Sequence, residues 1–86
     1  MDYKVLIKLY VPETEQSYEL FIPVNKNIYQ IKKMITSIIS ELNQFTYGDE
    51  ESYILENRRI NRIYKNEEVI RNTDIRNGTE LVLFKG

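Results

Sequence analysis

Few side chains in this sequence could carry covalent or metal chemistry. The chain contains no cysteine and no histidine, which removes the thiolate nucleophile, the cysteine-based metal site and the commonest general base. Its serines and threonines therefore lack the histidine that a catalytic triad needs. The glycines are isolated at positions 48, 78 and 86, so no glycine-rich loop can cradle a phosphate. We expect no enzymatic activity, no cofactor and no metal.

An acidic run, Asp49-Glu50-Glu51, is the first of two charged segments that could bind a ligand. Adjacent carboxylates could bind Ca²⁺, but the spacing of an EF-hand loop is absent. The run lies in a polar stretch, residues 43–52, that also carries Gly48. We therefore predict a solvated loop and not a calcium site.

The second charged segment is basic and contains no acidic residue. It consists of Arg58, Arg59, Arg62 and Lys65. Arginine forks bind phosphates and carboxylates through paired hydrogen bonds, so one interpretation is an anionic partner, either an acidic protein segment or a nucleic acid. The other interpretation is a solvated hairpin edge whose charges discourage edge-to-edge pairing. Flanking acids favour the solvated edge, namely Glu56, Glu67 and Glu68.

Length and composition limit the framework that can position these residues. The chain has 86 residues, 42% of them hydrophobic and 29% charged, which suits one globular domain spanning 1–86. Twelve basic residues face thirteen acidic ones, whereas a duplex nucleic-acid binder usually carries a basic excess. No apolar run is close to the length of about 18 residues that a membrane span needs. The first residues lack the charged and then apolar regions of a signal peptide. We expect a small cytoplasmic module that binds and does not catalyse, and that does not insert into a membrane. Composition does not indicate what it binds.

Two alternating segments, residues 4–11 and 18–22, predict the first two strands, since a period of two is typical of half-buried strands. The residues that share one face are Val5, Ile7, Leu9 and Val11 in the first segment, and Tyr18, Leu20 and Ile22 in the second. The polar stretch 12–17 predicts a hairpin turn. Pro23 cannot donate to a strand ladder and ends the second strand.

One helix follows, because apolar residues recur with a period of 3.6. They are Ile28, Ile31, Ile35, Ile38, Ile39 and Leu42. Asn27 is a good N-cap, and Gln30 completes a capping-box-like pattern. Because isoleucine is a modest helix former, we expect packing against a sheet to hold the helix.

The remaining segments predict a third strand at 53–56, a fourth at 59–64 and a last strand at 80–84 after the turn signal Asn77-Gly78. The first and last strands must lie side by side for the helix stripe to cover both. This arrangement is the β-grasp, an α+β fold with a mixed sheet of about five strands in the order 2-1-5-3-4 on one main helix. The predicted core comprises Ile7, Leu20, Ile31, Ile35, Ile54, Ile75, Leu81 and Leu83.

The same strand phases predict an apolar outward face of the sheet. Its members are Leu6, Tyr10, Phe21, Tyr53, Leu55, Val82 and Phe84, with Lys8 among them. Nothing else in the chain is available to cover this face, and an exposed patch of several hundred Å² usually marks an interface. We predict that these residues bind a protein partner or a second copy of the chain.

Local motifs make the chain resemble a ubiquitin-like domain. The end of the chain is the most similar part: Ile70, then Asp74-Ile75-Arg76-Asn77-Gly78-Thr79-Glu80-Leu81-Val82-Leu83. The capped helix start, Asn27-Ile28-x-x-Ile31-x-x-x-Ile35, resembles that of ubiquitin. Within this class the chain is similar to the bacterial YukD/EsaB family. The residues that carry this similarity are 18–23 (YELFIP), Ile31-Lys32 with Ile35, Ile63-Tyr64, and Ile75-x-Asn77-Gly78.

The resemblance implies a non-catalytic, non-conjugated accessory or regulatory component of a type VII secretion system, acting on the membrane secretion machinery. It also implies that the outward sheet face is the recognition surface, with Leu55 and Phe84 at its centre. Two alternatives remain open. The chain could be a sulfur carrier or a conjugated modifier that reacts through Gly86, although such proteins end in a Gly-Gly extension. The chain could also be a β-grasp protein that binds nucleic acid through the basic segment. The overall charge of the chain disfavours this alternative.

Overall fold

The computed structural model describes residues 3–43 and 52–86. In chain order the elements are β1 (Lys4–Val11), β2 (Gln16–Pro23), α1 (Ile28–Asn43), β3 (Tyr53–Asn57), β4 (Arg62–Ile63), a 3-10 turn at Ile70–Asn72 and β5 (Glu80–Lys85). The five strands form one sheet in the order β2-β1-β5-β3-β4. β1 and β5 are parallel, and the other pairs are antiparallel. The predicted α+β class, strand order and β-grasp arrangement are confirmed.

The first hairpin places one face of each strand against the helix. β1 and β2 pair in register from Lys4 opposite Pro23 to Val11 opposite Gln16. Ile7, Leu9 and Val11 are fully buried, as alternation predicts. On β2, Ile22 is buried while Tyr18 and Leu20 are half-buried against the core. Leu20 therefore packs on the core without being enclosed by it.

The helix begins at the predicted capping box. The Gln30 N–H donates to Asn27 Oδ1 at 2.8 Å, and the Asn27 N–H donates to Gln30 Oε1 at 3.0 Å. These reciprocal bonds satisfy donors that have no partner within the helix. Four isoleucines of the stripe are buried, at positions 28, 31, 35 and 39. The stripe ends there, because Ile38 is only half-buried and Leu42 is 65% exposed.

The predicted phase of β3 is wrong. Leu55 pairs with Leu83 of β5, and both are fully buried, whereas Ile54 pairs with Phe84 on the opposite face. Tyr53 is also buried, and its hydroxyl donates to Glu13 at 3.1 Å. Tyr-Ile-Leu has no alternation to fix its phase, and a one-residue slip moves every side chain to the other face. Leu55 and Tyr53 thus belong to the core, and Ile54 does not.

β4 is shorter than predicted because a turn occupies residues 58–61. Asn57 Oδ1 accepts the Arg59 N–H at 3.1 Å, and Asn61 has a positive φ of 54°. An asparagine tolerates this left-handed conformation better than most residues. The other predicted core residues are confirmed, since Ile7, Ile31, Ile35, Ile75, Leu81 and Leu83 are all buried.

The turn before β5 sets the last strand beside β1. Gly78 has a φ of 87°, which glycine adopts without steric cost. Its N–H donates to the Leu6 carbonyl at 2.7 Å, and Asn77 Oδ1 accepts the Leu6 N–H at 2.7 Å. Two consecutive residues therefore bind the same point of β1, so the turn fixes the parallel β1–β5 register.

Candidate interaction surface on the outer sheet face

The outer face of the sheet is the face opposite α1, and cross-strand pairing orders its side chains into rows. One row runs across all five strands: Ser17, Tyr10, Val82, Glu56 and Ile63. At one end of the sheet Leu6 pairs with Phe21, and at the other Ile54 pairs with Phe84. Apolar side chains therefore occupy both ends of the face and part of its middle.

Several of these apolar side chains are well exposed. Phe21 is 64% exposed, Ile63 58% and Tyr10 39%. Leu6, Ile54 and Phe84 are half-buried. Val82 is on this side of the sheet but is buried, so little of it is available to a partner. The three exposed side chains share one face of the sheet, although charged residues lie between Phe21 and Tyr10. Exposed apolar side chains that share a face commonly mark an interaction site, so this face is the candidate site.

The structure places five of the seven predicted partner-binding residues on this face: Leu6, Tyr10, Phe21, Val82 and Phe84. Tyr53 and Leu55 are in the core instead, for the reason given above. The sequence reasoning missed Ile54 and Ile63. Their position follows from the register, because Ile54 lies opposite Phe84 and Ile63 lies opposite Glu56.

A charged row interrupts the apolar surface. It consists of Glu19 on β2, Lys8 on β1, Glu80 on β5 and Arg59 from the β3–β4 turn. Arg59 Nη2 lies 3.8 Å from Glu80 Oε2, and both side chains are more than half exposed. Such a pair contributes little to stability. The charged row, Tyr10 and Val82 line a shallow groove of about 470 Å³.

Arg58 covers part of the apolar surface next to this groove. Its guanidinium lies 5.6 Å from the centre of the Phe84 ring, and its Nε is 3.2 Å from Glu56 Oε1. A guanidinium over an aromatic face is attracted by the ring. Arg58 is thus already bound by an acid and a ring of its own chain.

Arg62 is the centre of a separate polar cluster beneath β4. It bonds Glu68 at 2.6 Å and Asp74 at 3.2 Å, and it lies 4.8 Å from the Tyr64 ring centre. The hydrogen bond to Glu68 raises the pKa of Arg62 above its ordinary value. The Lys65 backbone N–H, which donates at 2.6 Å, and then Arg62 lower the pKa of Glu68.

Tyr64 completes this cluster. It is 3% exposed, and its hydroxyl donates to Asp74 at 2.7 Å. Burial, and then this hydrogen bond, raise the pKa of Tyr64 to about 12. The cluster connects β4 to the segment around the 3-10 turn, so we interpret it as stabilising the fold.

The basic segment therefore carries less free positive charge than its sequence indicates. Arg58, Arg59 and Arg62 each lie within 4 Å of an acidic side chain, and the positive charge of Lys65 helps to lower the pKa of Glu68. This geometry favours the solvated-edge interpretation. Binding of an anionic partner by this segment remains the other interpretation, and it stays a prediction.

The acidic run at 49–51 lies outside the described residues. Within residues 3–43 and 52–86, no group of three or more histidine, cysteine or acidic side chains could hold a metal ion. In the same ranges no helix is long and apolar enough to cross a bilayer.

Gly86 lies against the sheet. Its N–H donates to the Ser52 carbonyl at 2.9 Å, which continues the β3–β5 pairing. A Cβ at this position would meet the end of the Ile54 side chain. Gly86 is thus held beside the outer face in this structure.

Comparison with known proteins shows the fold. The sequence matches no protein-family model, and no curated protein matches it. Solved structures do match. The ubiquitin of Caldiarchaeum subterraneum has a TM-score of 0.73 and 14% identity, over 98% of this chain and 95% of that one. The UBL domain of Plasmodium falciparum Dsk2 has a TM-score of 0.71 and 14% identity, over 98% of this chain and all of that one.

A chain from the toluene 4-monooxygenase HD complex also matches, with a TM-score of 0.79 and 5% identity over 98% of this chain and 100% of that one. These identities are low, and the architecture is what the matches share. The chain has the ubiquitin-like β-grasp fold.

Proposed function

We propose that this chain is a non-catalytic protein-interaction module that binds its partner through the outer face of the sheet. The observation that carries the proposal is the exposure of Phe21, Ile63 and Tyr10 on one face that no described part of the chain covers. Aromatic side chains dominate binding energy at protein interfaces. Tyrosine also offers a broad apolar ring with a polar tip.

Replacing phenylalanines on this face tests the proposal. Burying a phenylalanine is worth about 1.5–3 kcal/mol, so Phe21→Ser or Phe84→Ser should weaken partner binding by about tenfold or more. Leu42→Ser is the matched control, because Leu42 is 65% exposed on α1, away from this face. Circular dichroism checks folding, and pull-down from the source cells measures binding. Folded phenylalanine variants that bind as well as the control would remove this face as the working surface.

The finer part of the proposal concerns the system in which the module acts. The resemblance to the YukD/EsaB family supports an accessory or regulatory role in a bacterial type VII secretion system, with cytoplasmic localisation and the membrane secretion machinery as partner. Neighbouring genes test this directly. Genes for small helical secreted substrates and a membrane ATPase would support the role, and their absence would count against it.

A carrier function is the competing proposal. An activating enzyme threads an extended C-terminal segment into a narrow channel, whereas Gly86 here bonds Ser52 and lies beside Ile54. Mass spectrometry of the protein from its source decides, because a thiocarboxylate or isopeptide at Gly86 would establish the carrier function.

A further inference from the structure

The charged row on the outer face has a pattern that is complementary to itself. Across the sheet its signs alternate: Glu19 negative, Lys8 positive, Glu80 negative and Arg59 positive. The order is fixed because Lys8 pairs with Glu19 on one side and with Glu80 on the other. Arg59 then reaches Glu80 from the β3–β4 turn. Reversing this row from left to right replaces every charge by its opposite.

A two-fold rotation produces this reversal when two copies pack face to face. With the axis parallel to the strands, between β1 and β5, Lys8 faces Glu80 of the second copy. Glu19 then faces Arg59 of the second copy, and two-fold symmetry makes each contact twice. An axis along the charged row would instead set each charge against itself, and facing like charges repel. The charges therefore select the first orientation.

The neighbouring row fits the same axis. Tyr10 and Val82 are paired neighbours on either side of it, so the exposed Tyr10 ring of each copy lies over the largely buried Val82 of the other. These two side chains and the charged row line the groove of about 470 Å³, which leaves room for side chains of the second copy. An apolar centre beside matched charges is the usual make-up of a protein interface.

We propose that the occupant of the outer face is a second copy of this chain, packed sheet to sheet about a two-fold axis between β1 and β5. The inference rests on the proposed function, since it takes the outer face to be an interface, and it names one occupant. Two sheets stacked in this way lie about 10 Å apart with nearly aligned strands.

The size of the face sets the expected strength of the dimer. Five strands about 4.8 Å apart, with longest strands of about 27 Å, give a footprint of roughly 500 Å². Each copy exposes 5525 Å² in total. A standard stable interface buries about 800 Å² per partner, so this dimer is at the small end. We expect a concentration-dependent dimer with a dissociation constant between about 1 µM and about 1 mM.

Charge-swapped variants of the full chain test whether the charged row lies in the dimer interface. Glu19→Lys with Glu80→Lys makes the charged row wholly positive, and Lys8→Glu with Arg59→Glu makes it wholly negative. Sedimentation equilibrium from about 1 µM to about 1 mM covers the expected range of dissociation constants. The wild type should dimerise, each variant alone should associate at least tenfold more weakly, and an equimolar mixture should regain dimer mass. Circular dichroism checks folding, and neutral Lys8→Gln with Glu80→Gln replaces any variant that fails to fold.

A wild type that stays monomeric at about 1 mM in low salt would overturn the dimer, because that is the weak limit expected here. So would variants that dimerise alone, or a mixture that associates no better than its components. These outcomes are separate from the test of the proposed function. If the chain stays monomeric but Phe21→Ser abolishes partner binding, the outer face is still the interaction surface. Only the second copy is then excluded as its occupant.

Discussion

Alanine substitutions at two adjacent residues of β3 distinguish the core face of the sheet from its outer face. Leu55 is fully buried opposite Leu83, whereas Ile54 lies on the outer face opposite Phe84. Leu55→Ala should cost about 2–5 kcal/mol, because it removes buried contacts and leaves a cavity. Ile54→Ala should cost about 1 kcal/mol or less, because surface substitutions rarely exceed this. The two changes remove similar side chains, so each is the control for the other.

Urea denaturation followed by circular dichroism measures both losses. An unchanged slope with a lowered midpoint indicates a loss of stability and not a change in the denatured state. In a domain of this size about 1 kcal/mol corresponds to roughly 4–8 °C in melting temperature. Leu55→Ala should therefore lower the melting temperature by more than about 8 °C. Equal losses, or a larger loss for Ile54→Ala, would refute the assigned phase of β3.

Three further predictions follow from particular contacts. Arg62→Gln should cost about 1 kcal/mol in thermal melts, because it removes charge-assisted bonds from a half-buried cluster, while Arg59→Gln should stay within about 0.5 kcal/mol. Stability should fall as pH rises from about 10 toward 12, because the pKa of Tyr64 is higher in the folded state than in the unfolded chain. The protonated Tyr64 hydroxyl therefore contributes its full stabilisation below about pH 10 and loses it as the pH rises toward 12. Urea melts of Tyr64→Phe should show a weaker loss over this range. Asn27→Ala should cost about 1 kcal/mol in urea melts, and Asn27→Gly only a few tenths.

Local signals in the sequence were sufficient for the framework. Asn27 and Gln30 lie three residues apart before an apolar stripe, and their two reciprocal bonds form as predicted. Asn77 and Gly78 occupy the turn that brings β5 beside β1. The capping box and the positive φ of Gly78 depend on neighbouring residues alone, so periodicity and turn chemistry could predict them. The bonds from this turn to Leu6 are long-range, and the local signal predicts only that a turn is present.

The phase of β3 and the charged row depend on long-range pairing. Leu55 is on the core side because β5 presents Leu83 opposite it, which no property of the segment itself determines. The members of the charged row are at positions 8, 19, 59 and 80, and they become neighbours only through strand register. Sequence reasoning therefore found most of the apolar face but neither its exact members on β3 nor its charge pattern.

Site-specific photo-cross-linking in the source cells tests most directly whether the outer face meets protein. A photoreactive phenylalanine analogue is placed at Tyr10 or Phe21 on the outer face, and at Lys33 or Ser37 on the exposed side of α1 as controls. Adducts of higher mass should form from the two outer-face positions and not from the two helix positions. Adducts from the helix positions, with none from the outer face, would contradict the assignment of this surface.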